Sequence, residues 1–373
     1  MPDVTATAVP IPTPTNCTPS PDIRQFPIAP WPNTDFCHHS LPYETFRYGG
    51  VGKDRIAAID SPAIETIAEA DSWLTPQEPV LVLQLDGIAR AYPLSILLWH
   101  EIVNDELNGR SVVVTYCPLC NSGLAFERRV DGQTLDFGTT GILHNANLVM
   151  YDRQTESWWQ QLTGTAVVGE LTGTQLPLLP TRLVSWQTFK NEFPQGEVLS
   201  IFTGFDRRYS ENPYINYDSL VSRGTKFYDG VLDERLHPKM RVMGLQLGSE
   251  TIAYPFSALE ANRVLNDTFA GQPLVVLWQP GTQSPLYAEF ISASKEVGSA
   301  AVFSREVAGH LLTFEAQADG FLDMETGSEW TFWGTAISGP LLGTQLEQLP
   351  GHELFWFAWA AQHPHTAVYQ LAD

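Results

Sequence analysis

The sequence predicts an α+β protein made of two internally duplicated, mainly antiparallel-sheet units. Three observations predict it. Runs such as PVLVLQLDG and RSVVVTY are rich in β-branched residues and are bounded by turn residues. Helix-like stretches are short, and no regular βαβ pattern with long crossover helices occurs. The third observation is a repeat. LQLDGIARAYPLSIL, VND and GRSVVVTY in the first half are followed later by LQLGSETIAYPFSAL, LND and GQPLVVLW.

The repeat keeps its spacing over long stretches. Tyr92-Pro93 pairs with Tyr254-Pro255, and Asn104-Asp105 with Asn266-Asp267, both at an offset of 162. Asp152, Thr155, Ser157 and Trp159 match Asp323, Thr326, Ser328 and Trp330 at an offset of 171. GTQLPLLP at 173–180 matches GTQLEQLP at 343–350 at 170. Small changes of offset fit loop insertions and deletions, and duplication is the natural reading.

The organisation expected along the chain follows from this repeat. Residues 1–35 form a proline-rich leader with nine prolines and no lysine, read as a polyproline-like linker or an irregular arm. Residues 36–75 form an N-terminal arm with a short helix, IETIAEADSWL. FRYGGVGKD in that arm lacks the spacing and hydroxyl ending of a phosphate loop and is read as a turn segment. Residues 76–200 form the first repeat unit, closed by a helix at SWQTFKNEF before Pro194. Residues 201–235 connect it to the second repeat unit, 236–373.

Composition bounds the function. The chain has 373 residues, so about two or three domains fit its length. Lys+Arg total 21 against 42 Asp+Glu, a net charge of −21, which disfavours nucleic acid and anionic membranes as partners. No run is long and apolar enough for a transmembrane segment. The opening MPDVTATAVP has no basic segment followed by an apolar run, so no signal peptide is expected in the chain as given. An extracytoplasmic place remains open if one was removed.

The chemistry concentrates in the first unit. Strand SVVVTY runs into Cys117-Pro118-Leu119-Cys120. Two cysteines at this spacing can hold a metal ion or close a disulfide. NSGLAFERRVDGQ then reads as turn, strand and turn, which weakens any analogy with a thioredoxin site, where the first cysteine begins a helix. No histidine follows Cys120 directly, so a c-type haem attachment is not indicated.

His100 and His144 complete a candidate metal set with Cys117 and Cys120, with copper or zinc as the cofactor that thiolate and imidazole donors favour. At the 162 offset Cys117 corresponds to Gln279, Cys120 roughly to Thr282 and His100 to Asn262. The scaffold therefore does not need the thiols, which points to a dedicated site in the first unit.

Glu101 is a candidate proton carrier, with a cap or an ion pair to Arg110 as the alternative. Asn104, Asn121, Asn145 and Asn147 are further polar candidates. Cys17 and Cys37 make a candidate disulfide, and Cys37-His38-His39 a local metal set. The pairs Arg128-Arg129 and Arg207-Arg208 read as surface or ion-pair residues, Trp158-Trp159 and Trp330 as core. NPYINY at 212–217 reads as a turn cover that could border a pocket.

RIAAIDSP, DGIARAYPLSILLWHEIVND, VTYCPLCNSGLAFERRVDG, FGTTGILHNANLVMYDRQTESWWQQLTG and RVMGLQLGSETIAYPFSAL together resemble the bacterial family described as domain of unknown function 3179. The resemblance covers nearly everything after about residue 30. It implies the family's overall fold and transfers no reaction and no catalytic residue.

From the residues, the expected function is metal binding through the Cys/His site, with a metal donor or redox protein as partner. The alternatives are thiol–disulfide exchange through Cys117 and Cys120, and a noncatalytic structural or interaction module.

Overall fold

The computed structural model describes residues 20–307 and 309–370. Antiparallel strands dominate, and the longest α-helices have seven residues. Among the described residues no helix is long and apolar enough to cross a membrane.

The first half is organised around the hairpin Pro79–Leu85/Ile88–Pro93. Its two-residue turn, Asp86-Gly87, has φ of 49° and 87°, the positive values that a tight hairpin with right-twisted strands requires. Strand Thr181–Ser185 pairs antiparallel with 79–85, and Glu197–Leu199 pairs parallel with 88–93. Helix Leu94–His100 then leads into the hairpin Ile102–Leu107/Arg110–Cys117, which is extended by Ser122–Glu127. A further sheet contains Phe137–His144, Asn147–Asp152 and Trp158–Gln160.

The second half runs through the same order. Hairpin Arg241–Leu247/Glu250–Pro255 is flanked by antiparallel Gly351–Phe355 and parallel Ala367–Val368. Helix Phe256–Asn262 leads into Val264–Phe269/Gln272–Gln279, extended by Ser299–Ser304. Phe314–Gln317, Gly320–Asp323 and Glu329–Trp330 follow as a three-stranded sheet.

Matched polar residues make matched bonds. Tyr92 donates to Asp105 at 2.7 Å and Tyr254 to Asp267 at 2.9 Å. Asn104 brackets the backbone of Phe137, and Asn266 that of Phe314. The indole of Trp159 donates to Asp152 at 2.8 Å, and that of Trp330 to Asp323 at 2.9 Å. Each bond satisfies a buried or half-buried polar group that would otherwise cost about 1–3 kcal/mol.

The halves differ in strand number, with five-stranded sheets in the first against three and four strands in the second, and in one connection. Cys117 to Ser122 is a tight turn, whereas Gln279 to Ser299 is a long loop with a short 3-10 helix at Ile291–Ala293. The expected match of Cys120 with Thr282 therefore fails, because the second half inserts residues there. The halves also share their cores. One apolar cluster joins Leu81, Tyr116 and Cys117 to Phe355 and Trp359, and another joins Val80 and Trp186 to Phe303 and Trp330.

The described part of the leader packs on the folded body as an irregular arm. Ile23, Phe26 and Trp31 are buried with Phe46, Tyr151 and Trp158. Phe26 and Trp31 both meet the Trp158 ring edge-on and anchor the described part of the leader. Lys53 pins the same face. Its ammonium lies 4.4 Å from the Trp31 ring and 2.7 Å from Glu156. Residues 1–19 lie outside the described residues.

Candidate functional site

Strand Arg110–Cys117 delivers Cys117 to the end of a sheet, and a turn reverses the chain into Ser122–Glu127. Cys120 N–H donates to Cys117 O at 3.2 Å, and Asn121 closes the turn with φ of 54°. The two thiols are not bridged and both are buried, at 1% and 0% exposure. They face the same oxygen. Cys117 Sγ and Cys120 Sγ lie 3.7 and 3.3 Å from the carbonyl oxygen of Ala146. Asn147 Nδ2 donates to Cys120 Sγ at 3.7 Å and to Gln161 at 2.7 Å.

The two thiols are electrostatically unequal. Burial opposes ionisation of Cys117, but the hydrogen bond from Cys120 and the backbone N–H groups of Leu148, Cys120 and Leu119 outweigh it. Its thiol is held below the ordinary range. Burial and the neighbouring Cys117 push Cys120 well above it. The two thiols are thus shifted in opposite directions, Cys117 towards easier ionisation and Cys120 away from it.

Glu101 completes the arrangement. It caps helix Leu94–His100 in the left-handed region at φ 59°, and its carbonyl accepts from Tyr116 N–H at 2.8 Å. Arg263 occupies the matching slot at φ 62° and accepts from Trp278 N–H at 2.8 Å. The strained backbone therefore belongs to the scaffold, and only the carboxyl is particular to the first half. Burial, then the nearby Cys117, pushes the Glu101 carboxyl up to about 8, while a hydrogen bond with Tyr214 opposes the rise. Arg110 is not its partner. That guanidinium pairs with Glu127.

Glu101, Leu119, Tyr214 and Lys226 border a mostly apolar pocket of about 180 Å³. Tyr217, from the same connecting segment, donates its hydroxyl to Leu119 O at 3.1 Å. The segment reaches the second half as well, through Asn216 N–H to Tyr287 O at 2.7 Å and Tyr217 N–H to Leu286 O at 3.0 Å. It is a strap across the dithiol turn.

The expected mixed Cys/His metal set does not assemble. His100 has both nitrogens engaged elsewhere, Nδ1 with Ala57 O at 2.6 Å and Nε2 with the Tyr209 hydroxyl at 2.7 Å. His144 Nδ1 accepts from Gln160 Nε2 at 3.2 Å, and its ring lies 5.3 Å from that of Phe46. Burial lowers both imidazoles, His144 to about 4. Among the described residues, no group of three or more His, Cys, Asp or Glu is placed to hold a metal ion. Cys37-His38-His39 forms no such set either. Cys37 is disulfide-bonded, His38 pairs with Asp35 and His39 with Leu41 O. Cys17 lies outside the described residues.

The other polar candidates separate cleanly. Asn104 is a strand anchor through Asp60 and Phe137. Asn121 accepts from the Tyr116 hydroxyl at 3.0 Å, beneath the turn. Asn145 supplies a left-handed residue before Ala146. Asn147 alone touches a thiol. Arg128 ties strand ends through Val112 O, Leu135 O and Asp136, and Arg207 and Arg208 are exposed. Sequence reasoning missed Ala146 O, a backbone group, and the part of Tyr214 and Tyr217 in covering the thiols. The NPYINY run was the available signal for the last two.

Fold and site define a class: an antiparallel α+β protein holding a buried, unbridged CxxC pair close to the buried carboxyl of Glu101. The chain belongs to the DUF3179 family, described as a protein of unknown function, whose model matches residues 53–366 and so spans both halves. No curated protein and no solved structure matches it.

Proposed function

We propose that the protein is a thiol–disulfide oxidoreductase whose redox centre is Cys117 and Cys120, with Glu101 as proton carrier. The observation that carries this reading is the pair of buried, unbridged thiols turned to the one Ala146 oxygen, with the Glu101 carboxyl nearby and pushed up to about 8.

The step balances with these groups. Cys117 thiolate attacks one sulfur of a substrate disulfide, forming a mixed disulfide, and the Glu101 carboxyl protonates the departing thiolate. The Glu101 carboxylate then takes the proton of Cys120, which attacks Cys117 Sγ and releases the second substrate thiolate. Two electrons pass to the substrate and one protein disulfide forms. The buried sulfurs restrict access. Neither cysteine lines the pocket at Glu101 and Leu119, so a substrate disulfide reaches the sulfurs only when the Tyr214–Tyr217 strap moves.

A second reading rests on the shared orientation of the sulfurs. Two thiolates facing one point suit a low-coordinate soft ion such as Cu(I), without His100 or His144. A closed zinc site needs donors that the structure does not bring to the thiols. Anaerobic titration of the reduced protein with Cu(I) and Zn(II), beside intact C117S/C120S and H100A variants, separates the readings. Reversible disulfide formation with no stoichiometric metal uptake supports the oxidoreductase. Stoichiometric Cu(I) uptake lost only in C117S/C120S supports the metal reading. Neither behaviour leaves a structural role for the turn.

A further inference from the structure

A second pocket lies beside the strap. It has a volume of about 400 Å³, and Asn216, Tyr217, Ser222, Thr225, Lys226 and Lys239 contribute to its wall. The chain has only five lysines against 42 acidic residues, and two of the five meet here. No Asp or Glu lines the pocket.

Both ammonium groups lack a carboxylate partner. Among the described residues, the lysine ion pairs are those of Lys53, Lys190 and Lys295. Lys239 is only 5% exposed, and its ammonium rests 4.9 Å from the Tyr217 ring. Burial disfavours its charge, Asp218 partly offsets that, and Lys226 and Lys295 disfavour it further. Asp218 is already engaged by Ser284 at 2.6 Å, Lys295 at 3.3 Å and Arg241 at 3.4 Å. A largely desolvated cation whose nearby carboxylate is shared with other partners is costly, and an anion entering the pocket would reduce that cost. The hydroxyl and amide groups of Ser222, Thr225 and Asn216 are suited to orient its oxygens.

We infer that this pocket binds a small oxyanion-bearing ligand, with its carboxylate or phosphate group seated between Lys226 and Lys239. The volume suits a small metabolite rather than a polymer. The inference does not depend on the redox chemistry of Cys117 and Cys120.

Calorimetric titration of the full chain with inorganic phosphate and with citrate, at constant ionic strength and with chloride as reference, tests it. Saturable binding of either anion at one site is expected, phosphate alone indicating a phosphoryl ligand and citrate a carboxylate. Lys226→Met and Lys239→Met should each weaken binding by roughly tenfold or more, because each removes a charge-assisted contact. Lys190→Met, whose ammonium is held by Asp71, and C117S/C120S should bind as the parent does. Lys226 is exposed, so its variant keeps the test valid if Lys239→Met fails to fold. No saturable binding of either anion, or equal affinity in Lys226→Met and Lys190→Met, would overturn the assignment.

Discussion

Tyr217 donates its hydroxyl to the carbonyl oxygen of Leu119, inside the turn that carries both thiols. A residue of the connecting segment, 98 positions away in sequence, thereby fastens a cover over the candidate redox centre. Cover and centre are separate in sequence and joined only by folding.

That bond predicts an access effect. Tyr217→Phe removes one buried hydrogen bond, worth about 1 kcal/mol, and should speed alkylation of Cys117 and Cys120 in the folded protein about fivefold. Timed iodoacetamide labelling with mass spectrometry reads it. An unchanged rate would mean that the strap does not limit access.

Glu101 predicts a pH dependence of stability. Its carboxyl is raised from 4.5 to about 8 in the folded state, so the folded protein holds a proton that the unfolded chain has lost. Its contribution is fully present below about 4.5 and is lost as pH rises to about 8. Glu101→Gln, which stays neutral, should therefore exceed the parent in stability at pH 8 by a few kcal/mol at most, with the gap closing towards pH 4.5. Urea unfolding at both pH values measures the difference.

His100 predicts a purely structural effect. Its two hydrogen bonds join Ala57 to Tyr209, so His100→Ala should cost about 2–4 kcal/mol of unfolding free energy. Thiol reactivity and any Cu(I) uptake should stay at the parent level. Loss of metal binding in a folded His100→Ala protein would restore the mixed Cys/His site.

Matched anchors predict matched costs. Asp152→Ala and Asp323→Ala each strand an indole N–H and the turn behind it, and each should destabilise by about 2–4 kcal/mol. Superposition of 76–200 on 236–370 should bring Tyr92-Pro93 onto Tyr254-Pro255. Failure of that alignment would remove the argument for duplicated units.

Much of this arrangement was legible in the sequence, for physical reasons that differ by residue. Tyr92 and Asp152 could be read because each is bound to a partner at short fixed spacing, 13 and 7 positions on, and the second half carries the same spacing. Cys117 and Cys120 could be read because they are three positions apart. His100 could not, since its direction is set by Ala57 and Tyr209, 43 and 109 positions away. Ala146 left no trace because it acts through its backbone oxygen. The correspondence at Cys120 failed because an insertion after Gln279 is invisible to a constant offset. The aromatic run at 212–217 showed that something is covered there, but not what.

The central claim is that Cys117 and Cys120 form a reversible redox pair. Equilibration of the folded protein with a series of dithiothreitol redox buffers, followed by acid quenching and mass spectrometry, tests it most directly. A two-electron transition between dithiol and a Cys117–Cys120 disulfide is expected, absent in Cys117→Ser and in Cys120→Ser, with slower approach to equilibrium in Glu101→Gln. Thiols that stay reduced across the whole series while the fold is intact, or a disulfide that forms and cannot be reduced without unfolding, would contradict it.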